Sequence, residues 1–194
     1  MIVHSLFSYP VFEIKTDIDL EKLKPLIEKR REKDAGVEQS NSGGWHSGNI
    51  CKDESFFEFT NNLSSIVSES LTTILKEDRV LSLQNCWINV NGNGHYNHSH
   101  VHPMSVISGV FYVDAEKSSP IVFENVNYYS QFYLIECLDE KFKNDFGVLL
   151  DASYNPINGT ILLFPSTLHH HVEQNMSVKN RISISFNFNI FTST

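Results

Sequence analysis

The sequence predicts an α+β, mainly β fold, with helices buttressing one face of a mostly antiparallel β core. Three observations carry that expectation. Between about Phe56 and Lys76, apolar residues return every three or four positions, the repeat of a helix buried along one side. From residue 80 the repeat becomes two, in five stretches rich in Val, Ile, Phe and Tyr. Helical signals come first and strand signals follow, the order of an α+β domain. At 194 residues the chain has the length of one domain, with N-terminal strands and helices over 1–78 and the β core over 79–194.

In chain order, residues 1–16 read as a short strand, a turn at Pro10 and a second strand. Leu20, Leu23, Leu26 and Ile27 give a short amphipathic helix, in which Pro25 is tolerable only near the first turn. NSGGWHSGN (41–49) is turn-rich and expected outside the core strands. Trp45 there is expected to pack the N-terminal region against the core, while His46 fits either the surface or the rim of a substrate mouth. Ser55 and Glu58 form a capping-box pattern at the start of the long helix. The expected strands are 80–90, 105–113, 120–125, 160–164 and 181–191, punctuated by Gly92, Gly94, the Ser118-Ser119-Pro120 turn and 156–159. Residues 127–153 form an aromatic and charged insertion, a candidate lid.

Composition narrows the partners. A formal charge of −8 with no basic patch argues against a nucleic-acid backbone. The Lys22–Lys33 run is interrupted by Glu28 and Glu32 and reads as a solvated helix face. No apolar run is long enough to cross a membrane, no signal peptide opens the chain, and Cys51, Cys86 and Cys137 form no C-x-x-C pair. A cytoplasmic location is the expectation. Oligomeric state stays open.

The chemistry concentrates in histidine, the commonest protein ligand for transition metals. Of nine histidines, His95, His98, His100 and His102 crowd one segment and His169, His170 and His171 another. On a strand, His98, His100 and His102 share one face, whereas His170 points opposite to His169 and His171. Spacing alone does not say which side of the second cluster takes an ion. The final strand sets Ile182, Ile184, Phe186, Phe188 and Ile190 on one face and Arg181, Ser183, Ser185, Asn187 and Asn189 on the other. That polar face fits either water or a cavity in which Arg181 grips a ligand carboxylate.

Several motifs, in order, resemble one family: LF-x-x-PV (Leu6, Phe7, Pro10, Val11), GGWHS (43–47), W-x-N (Trp87, Asn89) and N-x-x-H-x-HP (97–103). They continue with SGV-x-YV (108–113), G-x-x-LLFPS (159–166), L-x-H-x-V (Leu168, His170, Val172) and RISISFN (181–187). Together they resemble the 2-oxoglutarate/Fe(II)-dependent oxygenases of a type common in marine bacteria and their phages. The resemblance implies a double-stranded β-helix, a jelly-roll or cupin-like barrel, with iron near one mouth. It implies His100 and His170 as iron ligands and Arg181, with Ser183 beside it, as the grip on the 2-oxoglutarate distal carboxylate. Asn97, Asn89 and Tyr112 become cosubstrate or supporting contacts. Fe(II), 2-oxoglutarate and dioxygen are the implied cofactor and cosubstrates, and hydroxylation of a small molecule or a protein side chain the implied reaction.

One departure stands out. The family's usual third ligand is the carboxylate of H-x-D/E, and here that position is His102. Either three histidines face the iron or a distant carboxylate such as Glu124 completes the set. Neutral ligands leave the ion more net charge and alter its redox potential. Two rivals remain at this point: a cupin-type metal protein of another reaction class, and a non-catalytic module with structural zinc.

Overall fold

The period-two stretches fold into two antiparallel sheets that face each other. The computed structural model describes residues 2–6 and 8–193, and for 128–131 the backbone alone; Phe7 of the opening motif lies outside the described residues. In chain order the elements are β1 (Phe12–Lys15), α1 (Leu20–Arg31), β2 (Asn41–Ser42), β3 (Trp45–His46), a 3₁₀ turn (Glu54–Phe56), α2 (Phe57–Leu71), β4 (Arg79–Asn91) and β5 (Tyr96–His100). There follow β6 (Ile107–Asp114), β7 (Ile121–Glu124), α3 (Tyr128–Cys137), α4 (Glu140–Phe146), β8 (Asp151–Tyr154), β9 (Thr160–Pro165), β10 (His170–Val172) and β11 (Arg181–Thr192). One sheet runs β1-β9-β6-β11-β4-β3 and the other β2-β5-β10-β7-β8, the double-stranded β-helix.

The six-stranded sheet is buried on both faces, which explains why β9 reads TILLFP without alternation. Ile161 and Leu163 join the core under the helices, and Leu162 and Phe164 the core between the sheets. The helix side is closed by Leu63, Val67 and Leu71 of α2, four residues apart and nearly inaccessible, over Ile184, Phe186 and Phe188 of β11. Each such side chain contributes about 1.5–3 kcal/mol relative to exposure. Gly109 makes room for this packing: a Cβ there would lie 2.4 Å from the Phe186 ring.

Several local expectations need correction. Residues 2–6 and 8–11 form no strand, so only the second strand of the N-terminal pair exists, β1 on the edge of the sheet beside β9. Pro25 is the sixth residue of α1, past its first turn; Glu21, whose carbonyl loses its bond, lies on the solvent side where water can replace the donor. The cap before α2 is Asp53, accepting from Ser55 N at 3.0 Å, because a 3₁₀ turn precedes the helix and moves the cap upstream of Ser55. The helix stops at Leu71 rather than Lys76, where the Thr72 hydroxyl bonds back to the Ser68 carbonyl. Trp45 and His46 are not outside the core strands: they are β3, paired with Val90 and Asn89 of β4. Gly43 and Gly44, at φ 65° and 71°, turn the chain sharply enough to carry it from β2 in one sheet to β3 in the other. The 127–153 stretch holds α3 and α4 and then re-enters the second sheet, where β8 pairs with β7.

Candidate metal centre and cavity

A cavity of about 750 Å³ opens between the two sheets. Its long wall is built by β4 and β11, whose register sets Arg181 opposite Asn91, Ser183 opposite Asn89, Ser185 opposite Trp87 and Asn187 opposite Asn85. The apolar alternates of both strands are held under the helices, so the polar alternates turn inward. Arg181, Ser183, Ser185 and Asn187 all line the cavity, which decides between water and ligand for that face.

The opposite wall carries the imidazoles. His100 ends β5 and faces His170, the first residue of β10, directly across the ladder. His102 lies two residues past the strand end, just before Pro103, which has no N–H to continue pairing; its own backbone N–H donates to the Ser166 carbonyl at 2.9 Å. The three histidines therefore do not share a continuous strand face, yet their ligand atoms all lie within 4.8 Å of one another. Nδ1 of His100 lies 2.7 Å from the His98 carbonyl and Nδ1 of His170 lies 2.8 Å from the Leu168 carbonyl. A carbonyl only accepts, so each Nδ1 carries the proton and each Nε2 presents a lone pair. Burial, then the neighbouring imidazoles, pushes His102 down to about 3, and burial with His100 pushes His170 down to about 4. Burial lowers His100 as well. Nε2 of His102 lies 3.3 Å from Nε2 of His170, so neutral rings aim electron pairs at one point unless a proton or a cation lies between them. This donor set fits a divalent transition ion.

The remaining histidines lie elsewhere. His98 is exposed at the cavity rim, edge-on to Tyr96, and His95 accepts from Gly92 N at 3.0 Å. His171 Nδ1 meets Glu124 Oε1 at 2.6 Å, and Ser99 donates to Oε2 at 2.9 Å. Burial would raise the Glu124 carboxyl, but these two hydrogen bonds hold it below its usual range. Glu124 is thus engaged outside the histidine cluster and is absent from the metal-competent group among the described residues.

Arg181 is 2% exposed and has no carboxylate partner among the described residues. Its Nε donates to the Ser119 carbonyl at 3.2 Å, one terminal nitrogen donates to Ser183 Oγ at 2.9 Å, and Tyr112 lies beneath it with 5.3 Å between Cζ and the ring centroid. Among the described residues no well-formed hydrogen bond reaches the other terminal nitrogen or the buried Tyr112 and Ser119 hydroxyls, although the guanidinium and the phenol lie close enough to interact. Burial pushes the guanidinium down and the Tyr112 phenol up to about 12, so the pocket holds a desolvated cation beside a protonated phenol. A buried cation without a counter-ion is costly and calls for an anion. Asn97 braces the wall, accepting from Asn91 Nδ2 at 2.8 Å and donating to Ser40 Oγ at 3.2 Å. Asn89 donates to Ser185 Oγ at 3.0 Å and leaves its Oδ1 unpartnered.

Some participants escaped the sequence reading. Ser119 read only as part of a turn, and nothing local marks it. Asn85 was given no role, although it shares a strand face with Trp87 and the expected Asn89, alternating with buried Cys86, Ile88 and Val90. His46 belongs to the cavity rim and not the open surface: it is buried, stacked on Trp87 at 5.5 Å and 13°, and Trp87 in turn lies 5.5 Å from His102. Trp45 packs in the core as expected, its Nε1 donating to the Asp34 carbonyl at 2.8 Å. None of 127–153 lines the cavity among the described residues, whereas Val37, Gln39, Ser40 and 46–49 do. Among the described residues, then, the N-terminal connection contributes to the rim and the 127–153 stretch does not.

Residues 85–187 match the family described as "Putative 2OG-Fe(II) oxygenase", more than half of the chain. None of the curated proteins matches the chain by sequence. Among solved structures, the Pseudomonas putida prolyl-4-hydroxylase is 13% identical with a TM-score of 0.57, covering 95% of each chain. The viral collagen prolyl hydroxylase of Paramecium Bursaria Chlorella virus-1, in complex with 2OG, is 11% identical with a TM-score of 0.57, covering 92% of this chain and 94% of its own. HygX from Streptomyces hygroscopicus, with nickel, 2-oxoglutarate and hygromycin B bound, is 10% identical with a TM-score of 0.64, covering 93% and 83%. At these identities the likeness to solved structures is one of fold.

Proposed function

We propose roles for these residues from one premise: the chain belongs to the 2OG-Fe(II) oxygenase family. It is a 2-oxoglutarate- and Fe(II)-dependent oxygenase, and in our reading His100, His102 and His170 hold the iron through their Nε2 atoms. When bound, the iron supplies dioxygen activation coupled to oxidative decarboxylation of 2-oxoglutarate. Arg181 takes the distal carboxylate of 2-oxoglutarate, with the Ser183, Tyr112 and Ser119 hydroxyls around it. Tyr112 stays protonated and so donates rather than repels. Asn89 and Asn97 shape the wall between that end and the histidines. The reaction we assign is hydroxylation of a small molecule or peptide, in keeping with the prolyl hydroxylases and the hygromycin-bound protein that share the fold.

The observation that carries this reading is the unpaired, buried guanidinium in the same cavity as three neutral imidazoles. A structural zinc site is closed by four protein ligands; here three donors face an open cavity and a cation waits for an anion. Anaerobic addition of Fe(II) and then 2-oxoglutarate should produce the visible absorption band of the chelate in the native protein. His170→Ala should lose the band by losing the metal, and Arg181→Ala should require far more 2-oxoglutarate to reach it. No band in native protein that has bound Fe(II) would overturn the assignment.

A further inference from the structure

The cavity has a second end, past the histidines, at the level of Asn85 and Asn187. Among the described residues no Asp, Glu or Lys lines the cavity at all, and its one fixed cation, Arg181, lies at the far end, which our reading assigns to the cosubstrate. The polar groups here are carboxamides, and their orientation is set by what they already bond. Asn49 Oδ1 accepts two backbone N–H groups, Cys51 at 3.0 Å and Cys86 at 3.2 Å, so the end left for the cavity is Nδ2. Asn85 Oδ1 accepts from Asn187 Nδ2 at 2.8 Å, and Asn187 Oδ1 takes the Ser108 hydroxyl at 2.6 Å. Asn85, too, has Nδ2 left over; neither amide N–H group donates within the described residues. Cys86 follows Asn85 directly, and its N–H donation to Asn49 Oδ1 ties Asn49, exposed at the cavity rim, to the strand that carries the half-buried Asn85. Next on the same strand face is Trp87, half-buried, stacked on His46, 5.5 Å from His102 and lining the cavity.

We infer, building on the oxygenase reading, that this end selects an uncharged substrate that offers an acceptor oxygen to Asn49 and Asn85 while its aliphatic carbons lie on Trp87. A carbonyl or hydroxyl oxygen satisfies both donors. The nearest charges, Arg30 with Asp34 and Asp53 behind Gly48, are already paired with one another and none of them lines the cavity, so a substrate carboxylate or ammonium enters with little compensation for lost water. The aromatic face favours a C–H surface and places it beside His102. The class is a neutral amide or a neutral polyol, two sources of the same acceptor chemistry.

A matched panel tests this: N-acetyl-amino-acid amides and methyl glycosides, each with its free-carboxylate and free-amine counterparts. Two readouts are used, succinate release by the iron-loaded enzyme and tryptophan fluorescence of the metal-free protein, with Trp87→Phe to assign the signal. We expect neutral members of one arm to stimulate succinate and perturb Trp87, with charged counterparts at least about 10-fold weaker. The arm that responds identifies the source. Asn49→Asp keeps the oxygen that accepts from Cys51 and Cys86 and replaces only the donor. It should weaken the neutral ligand by roughly 2- to 12-fold, the loss of one hydrogen bond, and shift preference toward the free amine. The inference is overturned if a charged member is preferred by the native protein, if no neutral member gives either signal, or if Asn49→Asp leaves preference unchanged. The Fe(II)–2-oxoglutarate band separates the causes. Failure with the band present sinks this inference alone, and absence of the band sinks the oxygenase reading beneath it.

Discussion

The two ends of the cavity are built from the same pair of strands and differ in how their polarity is satisfied. At the Arg181 end, a guanidinium nitrogen and the Tyr112 and Ser119 hydroxyls are buried without a well-formed hydrogen bond among the described residues. At the Asn85 end, amides and hydroxyls are linked in series, from Asn85 through Asn187 and Ser108 to Ser166. Unsatisfied buried groups bind one ligand strongly, because its arrival removes a desolvation penalty. A satisfied chain offers only its leftover donors and binds more weakly. The first suits a cosubstrate that is the same in every cycle, and the second a substrate recognised by shape and a few hydrogen bonds.

The largest expected effect comes from removing what divides the ends. His170→Ala should lower metal affinity by more than the ~10–100-fold typical of changes outside the ligand set, measured by calorimetry with Mn(II); His169→Ala should leave it nearly intact. Binding that survives His170→Ala but not His169→Ala would reassign the ligand. Next, Arg181→Ala should weaken 2-oxoglutarate binding to the metal-loaded protein by about 2–4 kcal/mol with metal affinity retained. Arg181→Lys should recover only part, since an ammonium lacks the forked contact. At the other end, Ser108→Ala leaves the Asn187 carbonyl without its donor and should destabilise the fold by about 1–3 kcal/mol in denaturant titrations. It should not change 2-oxoglutarate affinity, and a loss there would join the two ends into one network. The smallest effect belongs to Glu124→Gln, below about 1 kcal/mol because the His171 pair is a third exposed. Unchanged metal affinity in that variant keeps Glu124 out of the ligand set.

Much of this was legible before any coordinates. The inward polar face of β11 and the separation of His170 from its neighbours both follow from the two-residue period of a strand. Arg181 and the histidine pair also came with the family motifs. Other features were hidden for physical reasons. β2 and β3 are two residues long and carry no period, so Trp45 and His46 read as loop. The Asn187–Asn85 bond joins residues 102 apart, and no local pattern announces such a partner. Ser119 matters only because the Arg181 side chain folds back over its turn. The 127–153 stretch was open to a lid reading because an aromatic, charged insertion looks alike whether it covers a cavity or, as β8 does, extends a sheet.

Of the three donors, His102 alone is not carried by a strand. It hangs on a short loop that includes Met104, a non-glycine residue at φ 73° and almost fully exposed. Such a backbone conformation persists only where its surroundings hold it. An ion gripping His102 together with His100 and His170 acts as a removable clasp across that loop, cross-linking chain segments 68 residues apart. Amide hydrogen exchange should therefore report metal occupancy at 101–106 and in the Ser166–His169 turn. Chelation should quicken exchange there and leave β4 and β11, sealed beneath α2, unmoved. The cavity's mouth would then be softest before the metal arrives, which gives the ion a way in.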